Sequence, residues 1–143
     1  LKTCNLPNDI NIIVVMGGLT PHLESVKSKV NALPYKSEVK VDVDNMAEIM
    51  ANSDIAIGAA GFTTWERCCL GLPTIQVVIA ENQNTIAKSL ARNNAIKLLQ
   101  DIKELSRTIS DVTSWMTSVS DIARQISDGS GVMRVVNVII GRK

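Results

Sequence analysis

Short apolar runs rich in valine and isoleucine, each followed by a longer stretch of helical period, constrain this chain more than any other feature. The runs cover residues 12–16, 39–43, 55–57, 74–79 and 96–99. Runs this short, without polar alternation, suit strands buried on both faces, and the helical stretches between them supply the crossovers that parallel strands require. The pattern predicts an α/β fold, a Rossmann-like doubly wound parallel sheet of about five strands covered by helices.

The helices read from their spacing and their punctuation. Leu23, Val26, Val30 and Leu33 recur at three- and four-residue steps behind Pro21, which suits a first helical turn. Met46, Ile49 and Met50 follow the capping pair Asp44-Asn45; Trp65, Cys68 and Cys69 follow Thr63-Thr64; Ile86 and Leu90 follow Asn82. Beyond residue 103 the strands stop. Leu105, Ile109, Val112, Trp115, Val119, Ile122 and Ile126 form a near-heptad stripe, read as one long or two consecutive helices ending at Asp128-Gly129-Ser130-Gly131. Residues 132–140 are read as a helix, although so short an apolar run fits a strand equally well. Residues 1–10 have no periodicity and read as a linker, so that residues 11–143 form the domain; the first residue, Leu1, suggests a domain cut from a longer protein.

Composition narrows the function classes. A 143-residue chain that is 45% hydrophobic and 20% charged, with net charge +1, has the makeup of one compact domain and not of a disordered chain. Its apolar runs fall short of the ~20 residues needed to cross a bilayer. No basic-then-apolar leader opens the chain, so no membrane span and a cytoplasmic location are expected. Aromatic residues make up only 3% and charges of both signs are interspersed, which argues against a nucleic-acid partner. Cys4, Cys68 and Cys69 are an odd count with two sequence neighbours, so no disulfide framework follows, and they read as small buried apolar residues. His22 is the single histidine, and no metal site is expected.

Ligands of an open parallel sheet collect at the carboxyl ends of its strands, and three such ends carry unusual residues. In Met16-Gly17-Gly18-Leu19-Thr20-Pro21 two glycines allow close backbone approach before a helix start, as a diphosphate seat needs; a plain strand-to-helix turn explains them as well. It is neither a full GxGxxG fingerprint nor a P-loop. In Gly58-Ala59-Ala60-Gly61-Phe62-Thr63-Thr64-Trp65-Glu66 small residues clear space, and the Glu66 carboxylate suits the paired hydroxyls of a ribose; alternatively Thr63 or Thr64 caps the helix with Glu66 as capping-box partner. Ala80-Glu81-Asn82-Gln83-Asn84 offers amides, which match the hydroxyl and acetamido groups of a sugar, or simply a capped, solvated loop. His22 beside the first seat reads as an exposed first-turn residue, and Lys40 and Arg67 as solvated surface charges within reach of a phosphate.

Asn45-Met46-Ala47-Glu48-Ile49-Met50, Ser53-Asp54-Ile55-Ala56-Ile57-Gly58, the block Gly61 to Pro73 with Thr63-Thr64-Trp65-Glu66-Arg67-Cys68, and Glu81-Asn82-Gln83 together resemble the C-terminal half of the pseudaminic-acid-pathway UDP-sugar hydrolases and related spore-coat polysaccharide proteins. These are similar in turn to the glycosyltransferase that adds N-acetylglucosamine to the peptidoglycan lipid precursor, a two-domain GT-B enzyme. The resemblance spans roughly residues 11–100. It implies UDP or a UDP-sugar as ligand, an N-terminal domain of the same protein as partner, and no metal or redox cofactor. The backbone at Gly17, Gly18, Leu19 and Thr20 would meet the diphosphate, with Thr63 and Thr64 near the phosphates. The Val43 main chain would lie beside uracil, Glu66 on the ribose, and Asn82 and Gln83 against the sugar.

The chain departs from that family in two ways. Family members carry a further strand and helix where Leu33-Pro34-Tyr35-Lys36 here runs almost directly into Val39, so the sheet is expected to be one strand short, with the 39–43 strand nearer its centre. The family's catalytic histidine belongs to its N-terminal half, so this chain is expected to bind and not to catalyse. The leading expectation is the UDP-sugar-binding domain of a hydrolase; the alternatives are the donor domain of a GT-B glycosyltransferase and a non-catalytic nucleotide-binding or assembly module.

Overall fold

A computed structural model describes residues 1–2, 4 and 6–141. Five strands alternate with helices: β1 (Asn11–Met16), α1 (Leu23–Asn31), β2 (Lys36–Val41), α2 (Met46–Ala51), β3 (Ala56–Ala59), α3 (Thr63–Leu70), β4 (Thr74–Val77), α4 (Asn84–Arg92) and β5 (Lys97–Leu99). Three helices follow: α5 (Leu105–Ser110), α6 (Val112–Ile126) and α7 (Gly131–Ile139). The α/β alternation read from the sequence is therefore present. The stripe beyond residue 103 breaks into two consecutive helices, and the last apolar run is helical.

All pairings are parallel, but the five strands form two hydrogen-bonded groups, β1-β2 and β3-β4-β5. A continuous doubly wound sheet would join β1 to β3, and that ladder is not formed. β2 lies directly beside β1 over its whole length, Asn11 opposite Lys36 through Met16 opposite Val41. Among the described residues β2 pairs with β1 only, so the second strand lies at an edge and not nearer a sheet centre as expected.

The larger core belongs to the three-stranded sheet. Ile75 of β4 and Leu99 of β5 pack with Trp115 and Val119 of α6, flanked by Leu105, Ile109 and Val112 from the stripe. The stripe covers its own sheet, the common use of such a pattern. Leu90, Ala95 and Ile96 form a second cluster beside Ile122. Two polar bonds fasten α6: Trp115 Nε1 donates to the Thr108 carbonyl at 3.1 Å, and Ser120 Oγ to the Gly71 carbonyl at 2.6 Å. Gly71 closes α3 in the left-handed region at φ 63°, where a Cβ would also run into the Arg124 side chain.

The β1-β2 pair is half-buried along most of its length, with Val30 of α1 beneath it. The segment expected to be a linker is tied to this unit, since Tyr35 Oη donates to the Cys4 carbonyl at 2.6 Å and accepts the Leu6 N–H at 3.2 Å. Thr3 and Asn5 of that segment, like Arg142 and Lys143, lie outside the described residues.

Most strand limits shift by one to three residues from the sequence reading, and three differences bear on the site. The second strand ends at Val41, not Val43, because Asp42 turns into the left-handed region at φ 49°. Asn82 lies inside a short 3₁₀ turn (Glu81–Gln83), and α4 starts after Gln83, so Asn82 is not its cap. Phe62, not a threonine, precedes α3, and no side chain caps that helix. The capping box between Thr63 or Thr64 and Glu66 is therefore not formed.

Candidate functional site

The β3–α3 junction is the most unusual end of a strand in this molecule. Gly58 and Ala59 close the strand, Ala60 is buried, and Gly61 opens a turn in which an added Cβ would meet nothing within 4 Å. Among the described residues the main-chain N–H groups of Gly61, Phe62 and Thr63 make no hydrogen bond, whereas those of Thr64 and Trp65 turn back to Gly61 and Phe62 at 3.0 and 3.1 Å. Three free donors at the start of an eight-residue helix form a concentration of positive partial charge. Glu66 is exposed in the first turn and has no hydrogen-bond partner among the described residues.

Behind this turn lies a buried polar cluster that the sequence reading did not foresee. Thr64 is buried, and its hydroxyl oxygen accepts from Gln76 Nε2 at 2.6 Å and from an Arg67 terminal nitrogen at 3.3 Å. The same guanidinium nitrogen donates to the Ala59 carbonyl at 2.9 Å. Arg67 is therefore not the solvated surface charge its sequence context suggests; it is 7% exposed. Burial depresses its pKa, and it pushes the neighbouring Cys68 thiol up. Cys4 and Cys68 are buried as expected, but Cys69 is exposed, because it sits on the other side of α3. In α3, Arg67 stands three residues after the buried Thr64 and Cys68 stands four after it, which puts all three on the inward face, although nothing in the residue type of Arg67 marked it.

The glycine turn after β1 already has a partner from within the chain. Gly17 and Leu19 are exposed, and the Gly18 N–H is accepted by Asp42 Oδ1 at 2.6 Å. Thr20 Oγ1 accepts the His22 N–H at 3.4 Å, and His22, at the exposed start of α1, provides no side-chain cap. Val43 lies half-buried just past the end of β2. Lys40 pairs with Glu38 at 3.5 Å.

After β4, Gln83 Oε1 accepts the Ile79 N–H at 3.1 Å and so folds the loop back on itself, while Asn82 remains exposed. Beside it a cavity of about 480 Å³ opens at the carboxyl ends of β4 and β5, lined by Val77, Ile79, Asn84, Lys88 and Gln100 among others. Lys88 carried no sequence signal, since a lone lysine on a helix reads as solvated. A cavity of about 350 Å³ lined by Asp54, Leu72, Pro73 and Arg124 adjoins the opposite, amino ends of β3 and β4. Large apolar side chains stand exposed just after several strands: Leu19, Phe62, Ile79 and Ile102. No hydrogen bond among the described residues links the three strand-end groups to one another. No cluster of three or more metal-ligating side chains exists among the described residues.

The model of the glycosyltransferase family 28 C-terminal domain matches residues 2–131. The chain belongs to this family. The family 28 domain is 29% identical over 140 residues to the spore coat polysaccharide biosynthesis protein SpsG of Bacillus subtilis, covering 92% of this chain and 41% of that protein. Its fold matches MurG of Acinetobacter baumannii with a TM-score of 0.72 at 20% identity, covering 92% of this chain and 41% of that one. It also matches the Streptomyces glycosyltransferase SsfS6, complexed with thymidine diphosphate, with a TM-score of 0.60 at 14% identity over 92% of this chain and 42% of that one. At such identities the solved structures establish a GT-B-like fold. The family 28 domain thus spans about two-fifths of the length of each of these relatives. The family is one of glycosyltransferases, so the hydrolase and pseudaminic-acid expectations lose their support to the glycosyltransferase alternative. No helix among the described residues is long and apolar enough to cross a membrane.

Proposed function

We propose that this domain binds the nucleoside diphosphate of an activated sugar, as the donor-binding half of a GT-B glycosyltransferase in polysaccharide synthesis. The observation that carries the reading is the β3–α3 turn, where three unpaired N–H groups, a cleared backbone and the free Glu66 carboxylate stand together. An anion seats on such donors, and a carboxylate nearby accepts from the two hydroxyls of a ribose. Membership in a glycosyltransferase family and a fold shared with a nucleotide-bound glycosyltransferase support it.

UDP is the proposed nucleotide. Gly17, Gly18, Leu19 and Thr20 would approach the diphosphate from the β1 side and the Thr63 N–H from the α3 side, with the Val43 main chain at the uracil edge. Thr64, whose hydroxyl is already engaged by Gln76 and Arg67, would shape this seat from beneath. Asn82 and the free amide of Gln83 would meet the sugar. In transfer, an acceptor hydroxyl attacks the anomeric carbon as the bond from that carbon to the phosphate oxygen breaks. The electron pair leaves on UDP, where the α3 donors stabilise it, and the acceptor proton goes to a base supplied with the acceptor by a second domain.

Titration of the chain with UDP, UMP, uridine and ADP, followed by amide chemical shifts, tests this reading. Shifts concentrated at Gly61–Glu66 and larger for UDP than for ADP are expected. Absence of any shift at millimolar nucleotide would sink the reading and favour an assembly module. With a second domain present, release of UDP that depends on an acceptor distinguishes transfer from hydrolysis.

A further inference from the structure

Arg67 is a cation buried in the fold with no ion-pair partner among the described residues. It is 7% exposed, and none of the ion pairs among the described residues includes it. Its contacts are neutral: the Ala59 carbonyl at 2.9 Å and the Thr64 hydroxyl at 3.3 Å. Among the described residues its buried Nε–H finds no acceptor, and the buried Gln76 Oε1 finds no donor. The adjacent Glu66 is exposed and makes no hydrogen bond or ion pair with it; its carboxylate acts on the guanidinium only through space and less strongly than burial does. The fold also makes room for the group, because a Cβ at Gly58 would collide with the guanidinium. A buried, uncompensated charge is unfavourable, and it persists where something else depends on it.

The charge lies behind the N-terminus of α3, touching the first turn at Thr64 and the preceding loop at Ala59. On the solvent side of the same loop stand the free N–H groups of Gly61, Phe62 and Thr63. We propose that Arg67 is the charge-positioning residue of this site: it pins the loop through the Ala59 carbonyl, and its positive charge is neutralised across the loop by the diphosphate of the ligand. The guanidinium acts through the loop and does not touch the ligand. Its field is poorly screened because it sits in a medium of low dielectric constant. The inference rests on the donor-binding reading, and it specifies that recognition at this turn is of diphosphate more than of nucleoside.

The test compares the wild-type chain with Arg67→Lys and Arg67→Gln, titrating UDP, uridine and inorganic pyrophosphate, with melting temperature as a fold control. Arg67→Gln should reduce the preference for UDP over uridine about tenfold, and Arg67→Lys should retain most of it. A purely structural role would weaken both ligands together and leave their ratio unchanged, and that outcome overturns the inference while the donor reading stands. If Arg67→Gln does not fold, the wild-type Arg67 Nε–Hε resonance decides, assigned by its loss in Arg67→Lys. Movement with UDP or pyrophosphate but not with uridine supports the inference, and no movement while UDP binds overturns it. Binding of pyrophosphate without any preference for UDP would retain the Arg67 role and remove the donor reading. Failure of the wild-type chain to bind any of the three removes both.

Discussion

The carboxylate of Asp42 accepts the main-chain N–H of Gly18 at 2.6 Å, so a side chain from the end of β2 occupies a donor in the glycine turn after β1. Asp42 adopts φ 49° to do so, a conformation that aspartate and asparagine tolerate better than most residues. A Cβ at Gly18 would collide with this carboxylate, which explains the glycine. The turn thus carries a negative charge where the donor reading places a diphosphate. Asp42→Asn keeps the backbone conformation and removes the charge. It should strengthen UDP binding by about three- to tenfold, more at low salt than at high salt. Calorimetric titration at two ionic strengths checks this, and weaker binding by the variant would show that the carboxylate helps the ligand.

Glu66 separates function from stability with unusual clarity because the capping box is not formed. With no side-chain partner among the described residues, its stabilising effect reduces to a carboxylate in the first turn of a helix, worth about 0.3–1 kcal/mol. Glu66→Ala should therefore lower the melting temperature little while weakening UDP by about 10- to 100-fold, the loss of hydrogen bonds to a charged acceptor. A variant that melts early yet binds UDP normally would return Glu66 to a structural role.

The two glycines of the β3–α3 junction should respond in opposite ways. Gly58→Ala places a methyl group against the Arg67 guanidinium and should destabilise the fold by about 1–3 kcal/mol. Gly61→Ala meets nothing within 4 Å and should melt like the parent. Equal denaturation midpoints for the two variants would contradict the packing described for Arg67.

Asp128 gives a pH signature. It accepts from both Arg134 terminal nitrogens at 2.7 and 3.1 Å and from the Ser130 N–H at 3.0 Å. The Arg134 hydrogen bonds first, then that of Ser130, lower its carboxyl to about 2, and the pairing raises Arg134. The folded carboxyl is thus more acidic than the unfolded one, at about 3.9. Its contribution is complete above that value and is lost as pH falls towards 2. The turn leading into α7 should loosen in this window and not above pH 5, as a side-chain NMR titration of Asp128 and exchange of the α7 amides would show; an ordinary midpoint near 4 would exclude the pairing in solution.

Much of the fold was legible because the signals are local. A five-residue valine- and isoleucine-rich run cannot bury itself as an isolated helix turn, and the Leu105 to Ile126 spacing presents one face only when helical, so element type followed from periodicity. The ends of elements were less legible. Asp42 ends β2 through a bond to Gly18, 24 residues away, and that partner is invisible to a window centred on the strand. The site divides in the same way. The glycine turns, Glu66 and the amide loop stand out by residue type, whereas Arg67 differs from a solvated cation only by what packs around it.

The sequence by itself determined the alternation of strands and helices, the helical stripe over the main sheet and the family block from Gly61 to Pro73. These depend on spacings of a few residues and on side-chain chemistry. Only the tertiary structure decided that the strands divide into β1-β2 and β3-β4-β5, that a cation lies buried behind the α3 N-terminus, and that a carboxylate sits on the first glycine turn. Strand pairing, desolvation and charge proximity are set between residues far apart in the chain, so their free energies exist only once the chain has folded.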